Sequence, residues 1–217
     1  MKNANLDLFK KGNFEDIDTN FIFDGRAALG TLKSFQEKYK KPDIDTLLNE
    51  LHDSIVGNYL GFSLINTEKH GLDCKYSKEK DIYLESKVAS IESQSITATF
   101  NDTTLEKADS FRDEKVWLAL SVWNNALDLA FICYGQNEAI GDFLEEGVKK
   151  HKRGETVRST QSISLHKLIF DYKFKILAIG MSKNEIYQML TSIRGYKKLD
   201  RDIITELKDF TEPYFKK

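Results

Sequence analysis

The chain has 217 residues, of which 41% are hydrophobic and 30% are charged, and its net charge is −2 at pH 7. This composition is typical of a single folded globular domain, and no low-complexity tract or internal repeat interrupts it. The charge argues against a protein that coats nucleic acid by charge alone, but it does not exclude binding of DNA at one local site. No apolar run follows the first lysines, and no window reaches the roughly 18 apolar residues of a membrane helix. We therefore expect a soluble, cytoplasmic protein with no membrane partner.

Two amphipathic helices are predicted in the first third of the chain. Residues 31–41 show helical spacing of apolar side chains and stop before Pro42, because the residue preceding a proline disfavours the helical conformation. Residues 45–61 follow, with Asp45 suited to the N-cap and Gly61 suited to the end of the helix.

Three short strands are predicted next, at residues 62–66, 71–76 and 81–90. Because side chains alternate along a strand, the third strand presents two different faces. One face carries Tyr83, Glu85, Lys87 and Ala89, and the other carries Ile82, Leu84, Ser86 and Val88. The second face is expected to be buried, which leaves a carboxylate and an ammonium together on the first.

The second half of the chain is predicted to alternate helix and strand. A helix at 100–112 would be entered through Asn101 or Asp102. The apolar stretch 114–135 fits either one long buried helix or two strands, and its β-branched and aromatic content favours strands at 115–123 and 127–134 around the turn-prone pair Asn124-Asn125. The remaining predictions are a helix at 137–152, a strand or extended loop at 155–165, a helix at 182–193 with the capping box Ser182 and Glu185, and a polar helix near 200–210.

Two carboxylates on neighbouring predicted strands form the strongest chemical signal. Asp73 lies in the second strand and Glu85 in the third, so a hairpin between the strands would bring them close together. Paired carboxylates are oxygen ligands for a hard divalent cation such as Mg²⁺. Lys87 shares the face of Glu85 and could offset the charge that develops on a phosphate. The pattern therefore predicts metal-assisted phosphodiester hydrolysis.

The spacing of Asp73 and then Glu85-x-Lys87 on the next strand resembles the PD-(D/E)xK nuclease superfamily. The resemblance covers roughly residues 45–135, where the predicted helix, three strands, helix and strand are similar to the superfamily's αβββαβ core. The dipeptide before Asp73 lacks the proline of the family name. Size and context are most like a type II restriction endonuclease.

The resemblance implies a fold, a cofactor and partners. The fold would be α/β, with a mixed central sheet flanked by helices, in a single nuclease domain over 1–217 that has helical additions at both ends. The cofactor would be Mg²⁺, and the substrate would be double-stranded DNA cut at a specific sequence. A homodimer is expected, because a two-fold protein matches a palindromic site, and a cognate DNA methyltransferase would be the genetic partner.

The resemblance also implies a role for each site residue. The metal site would comprise Asp73, Glu85 and the backbone carbonyl of Ser86, with Lys87 as the catalytic lysine. In many members a helix carboxylate completes the site. The candidates for that position are Glu50, which matches best, and its rivals Asp53 and Glu68.

The charged strand is also compatible with three alternatives. The Glu85–Lys87 pair could be a salt bridge on the solvated face of an edge strand. The chain could be a structure- or damage-directed repair nuclease of the same superfamily. It could also be a non-catalytic domain that binds DNA or a partner.

Two polar segments are candidates for DNA contact. Ser90, Asn101 and Thr103 lie in a run of short polar side chains that suit phosphates and adenine edges, although Asn101 and Thr103 could instead cap the following helix. Arg158 and Gln161 follow the basic run 148–158, whose alternative role is to offset a helix dipole.

The remaining reactive side chains point to no other chemistry. The four histidines lack metal-ligand spacing, so a zinc or histidine-based nuclease site is not expected. Cys74 and Cys133 lie in apolar runs and are predicted to be buried, reduced thiols.

Overall fold

A seven-stranded mixed sheet organises the part of the chain that the computed structural model describes, namely residues 19–40, 44–65, 72–76, 81–155 and 159–210. The helices are α1 (Thr19–Tyr39), α2 (Ile44–Leu60), α3 (Leu105–Ser110), α4 (Ala139–Lys152), α5 (Leu165–Phe170) and α6 (Lys183–Ser192). The strands are β1 (Phe62–Leu64), β2 (Cys74–Tyr76), β3 (Tyr83–Ser90), β4 (Thr97–Phe100), β5 (Val116–Trp123), β6 (Leu129–Gly135), β7 (Gln161–Ser164), β8 (Lys175–Ala178) and β9 (Ile204–Glu206). The chain divides into two compact units, Met1–Asn49 and Glu50–Lys217, with the boundary inside α2.

The sheet belongs to the second unit and has the strand order β1-β2-β3-β5-β6-β8-β9. The first three strands form an antiparallel meander, and β5 runs parallel to β3. β5, β6 and β8 are antiparallel, and β9 is parallel to β8. β4 and β7 form a separate antiparallel pair. The protein is thus mixed α/β, with a mixed central sheet flanked by helices, as predicted.

Both faces of the sheet are covered, which explains why β5 and β6 are apolar nearly throughout. On one face, Val56 and Leu60 of α2 pack with Leu84 and Ala119. On the other face, residues of α3, α4, α5, α6 and the β4–β7 pair pack against alternate side chains of the same strands. The parallel register sets Glu85 beside Leu118, so Glu85 lies on the face of the sheet that α3, α4, α5, α6 and the β4–β7 pair cover.

Several predicted elements are confirmed. α2 matches the helix at 45–61, and β1, β2 and β3 fall inside the three predicted strands. Two strands, not one long helix, occupy 114–135, and the side-chain oxygen of Asn125 accepts two backbone N–H groups of their turn at 2.9 and 3.0 Å. α6 begins with the predicted capping box of Ser182 and Glu185.

The helix predicted at 100–112 is wrong in its first half. Residues Thr97–Phe100 form β4 because they pair with the distant strand β7, and α3 begins only at Leu105. The N-cap is Thr104, whose side chain accepts the backbone N–H of Lys107. Neither Asn101 nor Asp102 therefore caps this helix.

The polar helix predicted near 200–210 is also wrong. β9 lies there between two 3₁₀ turns, because the β-branched Ile204 and Thr205 pair with β8. α1 is longer than predicted, and β8 and α5 have no counterpart among the predicted elements. Val88, expected to be buried, is 43% exposed at the end of β3, where β2 no longer flanks the strand.

Candidate functional site

Asp73 lies where the pairing between β2 and β3 ends. Its backbone N–H donates to the carbonyl of Leu84 at 3.1 Å. Its carboxylate oxygen Oδ2 accepts the backbone N–H of Ser86 at 2.7 Å. β2 and β3 therefore pair as the predicted hairpin. Beyond the last backbone pair, the carboxylate of Asp73 takes the place of a backbone carbonyl and accepts the N–H of Ser86 on β3.

Helix α2 adds carboxylates to this point because it packs closely on β2. A Cβ at Gly57 would lie 3.1 Å from the sulfur of Cys74, so glycine allows the approach. Asp53 lies one turn before Gly57, and its backbone carbonyl accepts the Cys74 thiol at 3.5 Å. Asp53 interacts electrostatically with Asp73 and also with Glu50, three residues earlier on the helix. Of the carboxylates predicted to complete the site, Glu50 and Asp53 thus lie near it, and the charge of Asp53 raises the pKa of Asp73.

Glu85 is held by two lysines. Its oxygen Oε1 accepts the ammonium of Lys87 at 2.7 Å, and its oxygen Oε2 accepts the ammonium of Lys107 at 2.5 Å. Glu85 is 3% exposed, whereas the side chains of Lys87 and Lys107 are 22% and 18% exposed. The Lys87 ammonium also lies 5.3 Å from the ring centroid of Phe100.

Lys107 was not a candidate from the sequence, because nothing in its neighbours indicates chemistry. It reaches Glu85 only because the connection between β3 and β5 places α3 over the same face of the sheet. The position of that helix depends on the β4–β7 pair and on packing against α4, which involve residues distant in sequence.

The backbone of β3 is supported from the neighbouring strand at the site. The hydroxyl of Ser121 on β5 donates to the carbonyl of Lys87 at 3.0 Å, and the indole N–H of Trp123 donates to that hydroxyl at 2.9 Å. These groups are buried, so the chain of hydrogen bonds satisfies polar atoms inside the core and holds Lys87 in register.

Burial and mutual repulsion shift the pKa values of the carboxylates. Burial, with the charges of Glu85 and Asp53, raises the pKa of Asp73 to about 7. Burial likewise raises the pKa of Asp53 to about 6. Burial alone would lower the pKa of Lys87, but the neighbouring carboxylates outweigh burial and raise that pKa above its ordinary value. Lys87 is therefore a cation at neutral pH, and Asp73 is only partly ionised.

The donor set fits a hard divalent cation in its chemistry. Asp53, Asp73 and Glu85 offer carboxylate oxygens, and a bound cation would offset both the burial and the repulsion that raise the pKa of Asp73. Within the described residues, no group of three or more His, Cys, Asp or Glu side chains converges so that it could hold a metal ion. Each oxygen of Glu85 accepts a lysine ammonium in this structure. Cation binding therefore requires Glu85 to release at least one lysine.

A pocket of about 180 Å³ opens beside Glu85. Its lining residues are Glu85, Lys87, Phe100, Asn101, Asp102, Thr103, Thr104 and Lys107. Two predicted DNA contacts thus meet at the site, with Asn101 exposed and Thr103 6% exposed. The hydroxyl oxygen of Thr103 is buried and has no hydrogen-bond partner among the described residues.

The other predicted contacts lie outside this pocket. Ser90 is exposed at the end of β3, and its hydroxyl accepts a backbone N–H two residues on. The side-chain amide of Gln161 donates to the carbonyl of Ser159 at 3.1 Å. Arg158 and Glu68 lie outside the residues that the structure describes.

Both cysteines are buried and free, as predicted. The histidine on α2, His52, is also structural, because its Nε2 lies 2.8 Å from the carbonyl oxygen of Ala126 and its ring packs on Trp123. Neither the thiols nor this imidazole reaches the pocket beside Glu85.

Comparison of the chain with protein-family models, with curated proteins and with solved structures finds no match. In the described ranges, no helix combines the length and the apolar content needed to cross a bilayer. The function must therefore be inferred from the chemistry of the site.

Proposed function

We propose that the chain is a Mg²⁺-dependent endonuclease that hydrolyses phosphodiester bonds of double-stranded DNA at a specific sequence, similar to type II restriction enzymes. The observation that carries the proposal is the meeting of Asp73, Glu85 and Lys87 where the β2–β3 pairing ends, with Asp53 beside them. A surface salt bridge accounts for the site less well, because Glu85 is almost fully buried and accepts two lysines. The pKa values of Asp53 and Asp73 are raised, and buried carboxylates with raised pKa values are typical of functional sites.

The order of elements around the site supports the same proposal. α2 precedes the antiparallel β1–β2–β3 meander, α3 follows, and β5 then runs parallel to β3. This order corresponds to the αβββαβ arrangement expected from the resemblance, with β4 added before α3. We therefore propose membership of the PD-(D/E)xK superfamily.

The residues of the site divide the proposed reaction between them. Asp73, Glu85 and the carbonyl of Ser86 would hold the cation, with Asp53 as the helix carboxylate nearest to them. The bound cation would polarise the phosphate and lower the pKa of a water molecule. The ammonium of Lys87 would donate to the phosphate and offset the negative charge that develops during hydrolysis.

Partners follow from the proposed cleavage of a specific sequence. A homodimer would place one site on each strand of a palindromic duplex, since the symmetry of the protein then matches that of the DNA. A DNA methyltransferase encoded nearby would protect the DNA of the cell, and the enzyme would act in the cytoplasm.

Digestion of plasmid and phage DNA with Mg²⁺ tests the proposal. The wild-type chain should yield discrete fragments, and Glu85→Gln and Lys87→Met should not. Glu92→Gln and Lys208→Met are matched controls, because both side chains are exposed and neither lines the pocket beside Glu85. The controls should cut like the wild type.

Each different result identifies a different function. A ladder or smear, or a preference for branched DNA, would favour a repair or junction-resolving nuclease of the same superfamily. DNA binding that neither site variant alters, without cleavage, would favour a non-catalytic domain. Failure to cut varied DNA with Mg²⁺ or Mn²⁺ would contradict the proposed activity.

A further inference from the structure

We infer that the pocket beside Glu85 contains a binding subsite for one phosphate group of DNA, in which Lys107 and Thr103 bind phosphate oxygens next to Lys87. The identity of the phosphate as part of DNA rests on the proposed function. The subsite itself rests on the two ammonium groups that line the pocket and on the buried hydroxyl of Thr103.

Two ammonium groups line the inner wall of the pocket. Those of Lys87 and Lys107 both bind the carboxylate of Glu85, and Lys87 also interacts with the carboxylates of Asp73 and Asp53. The other charged lining residue is Asp102, which is exposed to solvent and so screened by it. Each ammonium group has three N–H donors, so Lys87 and Lys107 can each donate to a ligand in the pocket as well as to Glu85.

Thr103 supplies an independent sign of a ligand. Its hydroxyl is buried and lacks a hydrogen-bond partner in the part of the chain that the structure describes. The neighbouring Thr104 hydroxyl is used within the fold, because it caps α3. A buried hydroxyl without a partner destabilises a protein, and a ligand oxygen accepting from Thr103 would remove that effect.

Phosphate is the ligand that suits these donors. Two ammonium groups and a hydroxyl are all donors, and a tetrahedral anion offers several acceptor oxygens to them at once. The volume of about 180 Å³ holds about six waters at about 30 Å³ each, so a phosphate group fits with some hydration. Because Glu85 competes with phosphate for the lysines, binding of a cation to Glu85 should strengthen binding of phosphate.

Inorganic phosphate is the probe for the subsite, with the full chain followed by two-dimensional ¹H–¹⁵N NMR. Saturable shifts are expected at the amides of residues 101–107. Lys107→Met should weaken phosphate binding at least about tenfold, and Thr103→Val should weaken it about fivefold. Lys208→Met removes the same charge from an exposed position and should bind phosphate like the wild type.

Two further measurements separate binding from structure. Glu85→Gln should bind phosphate more tightly than the wild type, because it removes the competing carboxylate. Thr103→Val should raise the midpoint of thermal unfolding without phosphate, because it removes a buried hydroxyl that has no partner among the described residues. If Lys107→Met fails to fold, Lys107→Arg replaces it and should retain phosphate binding. The phosphate affinity of Thr103→Val then tests the subsite.

The outcomes distinguish this inference from the proposed function. No saturable shift in either the wild type or Glu85→Gln overturns the subsite, as does unchanged affinity in both Lys107→Met and Thr103→Val. Phosphate binding that depends on Lys107, in a chain that cuts no DNA, supports the subsite and contradicts the nuclease. DNA cleavage with unchanged rate and phosphate affinity in Lys107→Met supports the nuclease and contradicts the subsite.

Discussion

Replacement of Asp73 by asparagine should stabilise the metal-free protein at neutral and alkaline pH. Burial and the neighbouring carboxylates raise the pKa of Asp73 from its ordinary value of 3.8 to about 7. The folded state therefore binds this proton more tightly than the unfolded chain does. The contribution of Asp73 to the free energy of unfolding accordingly falls as the pH rises from about 4 to about 7, and it stays at its low value above that interval. Asparagine carries no charge, and its side-chain oxygen can still accept the backbone N–H of Ser86.

The magnitude follows from the same interval. The pKa of Asp73 rises from 3.8 in the unfolded chain to about 7 in the folded protein. At about 1.4 kcal/mol per pH unit, this difference sets an upper limit of about 4 kcal/mol on the loss of stability. Partial exposure and relaxation around the carboxylate reduce the penalty, so we expect Asp73→Asn to be about 1–3 kcal/mol more stable than the wild type at pH 8. Below pH 4 the difference should approach zero, because the carboxylate is then protonated in both states.

Urea unfolding in EDTA at pH 4, 6 and 8 measures this difference. Asp202→Asn is the matched control, since the side chain of Asp202 is 91% exposed. Addition of Mg²⁺ at about ten times its dissociation constant should stabilise the wild type by about 1.4 kcal/mol at pH 8 and the Asp73 variant by less. An Asp73 variant that is less stable than the wild type at pH 8 in EDTA, or whose difference does not change with pH, would refute the reasoning.

Three further predictions concern other parts of the molecule. Lys87→Met should fold and lower the rate of Mg²⁺-dependent cleavage by about 100-fold or more in single-turnover assays; a smaller effect would remove Lys87 from catalysis. Gly141→Ala should lower the free energy of unfolding by about 1–3 kcal/mol, because the added Cβ would lie 2.7 Å from a backbone oxygen of α3. Gly30→Ala is the control and should raise the free energy of unfolding by up to about 1 kcal/mol, because its Cβ would meet no atom within 4 Å and alanine favours the helix. Burial raises the pKa of the Cys74 thiol to about 12 and also raises that of Cys133, so neither should react with a thiol reagent at pH 8 until urea unfolds the chain.

The elements that could be predicted from the sequence are those whose signal is local. Helical spacing over 45–61, the capping box at Ser182 and the turn at Asn125 involve residues within a few positions of each other, and the structure has all three. The hairpin of β2 and β3 is also local, so the spacing of Asp73 and Glu85 was enough to bring them together.

The elements that were predicted wrongly depend on partners far along the chain. Thr97–Phe100 forms a strand only because β7, more than 60 positions later, pairs with it, and Ile204–Glu206 forms a strand because β8 does. No strand was predicted at Thr97–Phe100, and Ile204–Glu206 fell inside a predicted polar helix. Pairing with a strand that is distant along the chain leaves no local signal that would have predicted either strand.

The sequence by itself determined that Asp73, Glu85 and Lys87 would share one edge of a hairpin, because strand alternation and a short connection leave little choice. Only the tertiary structure decided which other groups join them. Asp53 does so because Gly57 lets α2 approach β2, and Lys107 does so because α3 packs over β3. Contacts of this kind depend on how helices pack on a sheet, and no spacing along the chain records that packing.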